Sequence, residues 1–91
     1  MKEFNANLRI KQLREALKIT RDDFCLKLGF KSSQIGNIEN NKQQTPAWIL
    51  EKIAEEYPEY GYWLATGKEI PEVGQISPMT ESTRQNLLKA G

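Results

Sequence analysis

TRDDFCLKLGFKSSQIGNIENN, residues 20–41, predicts two short helices joined by a tight turn. Thr20 is a suitable N-cap for the first helix, because its hydroxyl can accept a hydrogen bond from a free backbone N–H of the first turn. Gly29 follows the last apolar residue of that helix, where glycine readily adopts the left-handed backbone of a helix terminus. The second helix is predicted to start with Ser32 or Ser33 as its cap. It ends at the closing pair of asparagines, which tolerate the left-handed conformation.

Apolar residues in this stretch recur with helical spacing and predict one buried face. Two helices that cross at a steep angle also need a small residue at their contact, and Cys25 stands there. A lone cysteine excludes an internal disulfide and a cysteine-rich zinc site, so Cys25 is interpreted as a small buried hydrophobe rather than a nucleophile. The other residues predicted to face the core are Phe24, Leu28, Phe30, Ile35 and Ile38.

Three further helices are predicted around this pair. The first runs from Asn5 to Leu17, and the last from Tyr60 to Thr66, closed by Gly67. Between them, Thr45 as cap and Pro46 at the first helical position predict a helix that ends near residue 57. Their inward side chains are predicted to be Ile10, Leu13, Leu17, Trp48, Ile49, Ile53, Ala54, Tyr57, Trp63 and Leu64. For Tyr57 the alternative is a dimer interface, for which Tyr60, Tyr62 and the segment 78–90 are the other candidates.

The chain is therefore predicted to be all-α, with one helical domain over residues 1–67 whose central helix pair covers about 21–40. Residues 68–91 are predicted to be a linker and C-terminal tail. A short sixth helix over 78–90 would carry few apolar residues, and such a helix is only marginally stable without a partner.

Composition argues against catalysis and against a membrane protein. The 91 residues contain no histidine, so the usual general base and the commonest metal ligand are both missing. No glycine-rich phosphate loop is present, and we expect no cofactor and no metal. No apolar run has the length of a membrane span, and the first residues lack the apolar region of a signal peptide, so we expect a cytoplasmic protein.

Charge is distributed unevenly along the chain. Residues 1–50 hold nine basic and five acidic residues, whereas residues 51–91 hold four basic and seven acidic residues. A basic N-terminal half and an acidic C-terminal half would result from a polyanion-binding face on one side of the domain.

The stretch from Arg21 to Ile38 resembles the helix-turn-helix of the XRE family, the lambda-repressor and Cro-like proteins. The resemblance extends over 7–67, and YWLATG at 62–67 is similar to the fifth helix of many phage repressor domains. It implies a compact five-helix, lambda-repressor-like fold. The chain departs from the family pattern at Lys18, Lys31 and Asn41. Because Lys31 stands where the family often has a serine or threonine cap, the cap of the helix over 32–40 is predicted at Ser32 or Ser33 instead.

The resemblance also implies which side chains contact DNA. The helix over 32–40 would lie in the major groove, as recognition helices do. The residues expected at base edges are Ser32, Ser33 and Asn37, with Gln34 and Gly36 close by; for the serines the alternative is helix capping, and for Asn37 a solvated surface position. Phosphate contacts are expected from Thr20, Arg21, Lys31, Asn40, Lys42, Gln43 and Gln44. The residues expected to hold the structure together are Arg14, Glu39, Cys25, Gly29 and Trp63, with Arg14 and Glu39 forming an ion pair between the first and third helices.

Three functions fit these expectations. The first is a phage-type transcriptional regulator that binds a double-stranded DNA operator as a homodimer in a bacterial or phage-infected cell, associated with the nucleoid. The second is an antitoxin-type regulator whose C-terminal tail binds a protein partner. The third is a helical adaptor that does not bind DNA, which the sparsely basic recognition helix would suit.

Overall fold

A computed structural model describes residues 5–79 of the chain. Within these residues five helices follow one another: α1 (Asn5–Ala16), α2 (Arg21–Leu28), α3 (Ser32–Glu39), α4 (Ala47–Glu56) and α5 (Gly61–Thr66). Two single 3₁₀ turns lie at Pro58–Tyr60 and Pro71–Val73. Within the described range there is no strand beyond one isolated bridge between Ile70 and Gln75, and the all-α prediction is confirmed.

Helix α2 begins and ends at the predicted residues, and α3 ends where predicted. The Thr20 hydroxyl accepts a hydrogen bond from the Asp23 amide at 3.1 Å, which caps α2. Gly29 has a φ of 78°, so the chain leaves α2 through the left-handed region. After α3, Asn41 has a φ of 60° and ends the helix as predicted.

The start of α3 differs from the prediction that a serine caps it. Lys31 occupies the N-cap position, and no side chain caps the helix. The Lys31 carbonyl already accepts from the amides of Gln34 and Ile35, at 3.1 and 3.2 Å. Ser32 is the first residue inside α3 rather than its cap, and its hydroxyl donates to the Asp22 carboxylate.

The start of α4 also corrects a prediction, because Pro46 rather than Thr45 is the N-cap. Pro46 has extended backbone angles, φ −74° and ψ 155°, and its carbonyl accepts from the Ile49 amide. The Thr45 hydroxyl donates to the Asn7 side chain, and no side chain caps α4. The Thr45 hydroxyl therefore bonds to a distant residue of α1 and does not cap α4.

The core is formed by side chains of all five helices. Helix α1 packs on α3 and α5, while α4 packs on α2 and α5. The two most exposed members of the core cluster are only 8% exposed, which leaves a continuous apolar interior. Its members are Ile10, Leu13, Phe24, Cys25, Leu28, Phe30, Ile35, Ile38, Ile49, Ile53, Tyr60, Trp63 and Leu64.

Trp48 is the clearest error among the predicted core residues. It is 50% exposed, at the start of α4, and its ring lies edge-on to Phe30 with ring centroids 5.7 Å apart. The completely buried Ile49 and Ile53 define the inner face of α4, and Trp48 lies about 100° around the helix from Ile49, because an α-helix has 3.6 residues per turn. Trp63, by contrast, is buried as predicted.

Residues 68–79, predicted to be linker and tail, follow the surface of the helical domain. The Ile76 amide donates to the Glu59 carbonyl, and the Ser77 amide donates to the Glu69 carboxylate. Ser77 is 3% exposed. The division of the chain into two units stays a prediction, and the sixth helix predicted over 78–90 lies outside the described residues beyond position 79.

Across residues 5–79, no helix combines the length and the apolar character that crossing a membrane requires.

Candidate nucleic-acid interface

The outer face of α3 carries exposed polar side chains, and its inner face is fixed by the core. Ile35 and Ile38 are completely buried, which leaves the helix one orientation. Ser33 and Asn37 are exposed on the opposite side, and Gln34 is half-buried between the two faces. The side chains of Ser33 and Asn37 form no hydrogen bond within residues 5–79, so their donors and acceptors are available to an external partner.

Ser32 is exposed but has one intramolecular partner. Its hydroxyl donates to the Asp22 carboxylate, with 2.7 Å between the oxygens. A hydroxyl has one proton to donate and two lone pairs that accept. While this hydrogen bond lasts, Ser32 can only accept a hydrogen bond from another molecule.

Gly36 does not lie on the exposed face where the resemblance suggested it. It is buried, and a Cβ built there would be 3.2 Å from the Arg21 Nη1 atom. The absence of a side chain therefore lets the Arg21 guanidinium lie against the backbone of α3. A contact between Gly36 and DNA stays a prediction.

The ion pair implied between Arg14 and Glu39 is present and is bidentate. Arg14 Nε and Nη2 donate to the two oxygens of Glu39 at 2.7 and 3.1 Å, and Arg14 Nη1 donates to the Ile19 carbonyl. The Glu39 side chain is completely buried, and that of Arg14 is 15% exposed. The hydrogen bonds that Arg14 donates to Glu39 raise the pKa of the Arg14 guanidinium, against an opposing effect of burial. This pair ties α1 to the C-terminal end of α3.

Arg21 is a second cation on Glu39, which the sequence did not lead us to expect. Its Nε and Nη2 donate to Glu39 Oε1 at 3.3 and 3.2 Å. Its side chain remains 38% exposed, and its Nη1 group has no acceptor within the described residues. Arg21 is therefore held in one orientation at the surface while some of its donors stay free.

The other expected phosphate contacts are spread over three places. Lys31 precedes α3 and Lys42 follows it; both are exposed and without an ion pair in the described part of the chain. Asn40 and Gln44 are exposed, while Gln43 is half-buried. The Thr20 hydroxyl, at the start of α2, is used by its own helix.

Asn7 is a residue that the sequence reasoning missed. It is 2% exposed, and its side chain contacts the loop between α3 and α4 at Asn41, Gln43 and Thr45. A signal was available, because residue 7 lies three before Ile10 on the apolar stripe of α1. A polar residue at a buried position is the kind that needs specific partners.

Cys25 behaves as a core residue. It is 3% exposed, and burial together with the charge of Asp22 raises the pKa of its thiol. Among residues 5–79 there is no group of three or more acidic, cysteine or histidine side chains that could hold a metal ion.

Comparison with known families agrees with this geometry. A family model described as a helix-turn-helix domain matches residues 7–70, most of the chain. No significant match was found among curated proteins or among solved structures.

Proposed function

Because the chain belongs to the helix-turn-helix domain family, of the XRE and Cro-like type, and such domains in general serve DNA-binding regulators, we propose that it is a sequence-specific regulator of the phage-repressor type. It acts in the cytoplasm on double-stranded DNA and catalyses no reaction. The observation that carries the proposal is the outer face of α3, where the Ser33 and Asn37 side chains are exposed without intramolecular hydrogen bonds.

Asn37 is proposed as the main base-reading residue. An asparagine amide offers one donor and one acceptor, which match the N6 and N7 atoms of adenine in the major groove. Ser33 is one turn earlier on the same helix and contacts a neighbouring base pair. Gln34 contributes at the margin of this surface.

Ser32 is proposed to select a base that offers a hydrogen-bond donor. Its proton is given to Asp22, so it presents lone pairs to the groove. The matching groups at base edges are the amino groups of adenine and cytosine, whereas the acceptors of guanine and thymine would be rejected. Asp22→Ala frees the proton, and the base preference at one position of each half-site should then relax.

Contacts to the DNA backbone are proposed from both sides of α3. Arg21 supplies its free Nη1 donors, and Lys31 and Lys42 supply exposed charges. Backbone contacts of this kind orient a protein on DNA without reading its sequence. Thr20, Asn40, Gln43 and Gln44 add uncharged contacts at the same two edges.

Two copies are proposed to bind one pseudo-palindromic operator, because one recognition helix reads only a few base pairs. Exposed apolar side chains in α5 and the segment after it favour a protein contact there: Tyr62 is 38% exposed, Val73 69% and Met79 52%. We propose that these side chains contact a second copy of the chain. Sedimentation equilibrium tests the proposal, and a monomer in the presence and absence of DNA would contradict it.

The central experiment is selection of bound sequences from a random duplex pool, with the unmodified protein, Asn37→Ala and Glu55→Ala. Glu55 is exposed on α4 and serves as the control. We expect a two-fold symmetric motif from the unmodified protein and the control, with at least one position lost for Asn37→Ala. Binding that only weakens with salt, without any motif, would refute sequence-specific recognition.

A further inference from the structure

Asn7 forms a buried polar cluster with the loop that follows the recognition helix. Its Nδ2 group donates to the Asn41 side-chain oxygen at 3.1 Å and to the Gln43 carbonyl at 2.7 Å. Its Oδ1 atom accepts from the Thr45 amide at 3.0 Å and from the Thr45 hydroxyl. Both donors and both acceptor positions of the amide are therefore in use.

The loop over 41–45 has little else that fixes its shape. It belongs to no helix or strand, and it enters through the left-handed Asn41. The Lys42 amide bonds to the Asn37 carbonyl at 2.7 Å, which closes α3. The amides of Gln43 and Gln44 donate to no acceptor among residues 5–79. The contacts from Asn7, 34 to 38 residues earlier in the chain, are what hold the path of the loop.

Burial makes these contacts strong determinants of geometry. Asn7 is 2% exposed, so water does not compete for its amide. A buried polar group without partners would cost about 1–3 kcal/mol, which disfavours loop conformations that break the cluster. The loop is thereby preorganised, and a ligand that binds it spends little free energy on ordering it.

We infer that Asn7 is a positioning residue for DNA-backbone binding, through its hold on the 41–45 loop. The inference rests on the proposed function. The ligand is a phosphate group: the exposed Lys42 supplies a positive charge beside it, and the free amides of Gln43 and Gln44 supply donors. Asn7 itself is buried and touches no DNA, so its effect is carried entirely by the loop.

The test is the salt dependence of binding for the full chain, on the selected operator and on a random duplex. The slope of log Kobs against log salt counts the phosphates that the protein neutralises. Asn7→Ala should weaken binding to both duplexes by about fivefold. It should also reduce the slope of log Kobs against log salt by about one per subunit, because Lys42 is no longer positioned to contact a phosphate. The preferred base sequence should not change.

Lys42→Ala separates this role from general destabilisation. It should reduce the slope of the unmodified protein and have little effect in the Asn7→Ala background. Arg9→Lys is the matched control, because it keeps the charge while weakening a hydrogen bond from α1 to the Leu64 carbonyl on another side of the domain. Its slope should equal that of the unmodified protein. If Asn7→Ala does not fold, Thr45→Val replaces it and removes only the hydroxyl contact to Asn7.

Each result bears on one claim. An unchanged slope for the Asn7 or Thr45 variant, or an altered base motif, would overturn the positioning role while leaving the proposed function intact. An equal loss of slope for Arg9→Lys would overturn it as well. If the unmodified protein binds no DNA at low salt, the proposed function fails, and the inference fails with it.

Discussion

Arg14 and Arg21 share one carboxylate, but we expect them to contribute very differently to stability. Arg14→Met removes both hydrogen bonds of the bidentate pair and leaves the completely buried Glu39 with Arg21 alone, at 3.2 and 3.3 Å. Removing one partner of a buried ion pair typically lowers the free energy of unfolding by about 3–5 kcal/mol. Because Arg21 still pairs with Glu39, we expect a loss at the lower end, about 3 kcal/mol. Arg21→Met removes a cation that is 38% exposed, so water screens its charge and the expected cost is below about 1 kcal/mol.

Urea unfolding, followed by circular dichroism at one protein concentration, measures both changes. For a domain of this size, about 3 kcal/mol is a large part of the total stability and corresponds to a fall in Tm of roughly 12–24 °C. The double variant Arg14→Met with Glu39→Leu should recover much of the loss, because replacing a whole buried ion pair by apolar residues is often nearly neutral. Equal costs for the two arginines, or no recovery in the double variant, would refute the idea that a buried Arg14–Glu39 pair joins α1 to α3.

Other side chains give similarly direct tests. Gly29→Ala should destabilise the protein by about 1 kcal/mol, because alanine is strained at φ 78° although no atom lies within 4 Å of the new methyl group. Gly36→Ala should change stability by less than about 0.5 kcal/mol, since the gain in helix propensity offsets a small displacement of a flexible arginine; a loss above 1 kcal/mol in urea unfolding would contradict this. Cys25 should react with a thiol reagent only as fast as the protein unfolds, and rapid labelling of the folded protein would be inconsistent with its burial. Because burial raises the pKa of the Cys25 thiol, its contribution to the free energy of unfolding is full below the ordinary thiol pKa and is lost as the pH rises above that value. Trp63→Ala should cost about 3–5 kcal/mol and Trp48→Ala only about 1 kcal/mol, and similar unfolding midpoints for these two variants would show that Trp48 is not half-exposed.

Patterns along the sequence were enough to predict the order of the five helices within residues 5–79 and most of the core. The apolar spacing over residues 10–38, the cap at Thr20 and the left-handed Gly29 are local signals, because each depends on the backbone geometry of a few neighbouring residues. They were sufficient to predict the helix pair and the resemblance that implied the Arg14–Glu39 ion pair. The base and phosphate contacts stay predictions.

Where local signals compete with contacts between distant residues, the outcome depends on the folded chain. Thr45 is a good cap in sequence terms, yet its hydroxyl bonds to Asn7, and α4 starts one residue later. Ser32 likewise bonds to Asp22 and does not cap α3, and the space beside Gly36 is occupied by the Arg21 guanidinium. In each case the free energy of a hydrogen bond or close contact depends on a partner that is 10 to 38 residues away, and periodicity along the chain carries no information about that distance.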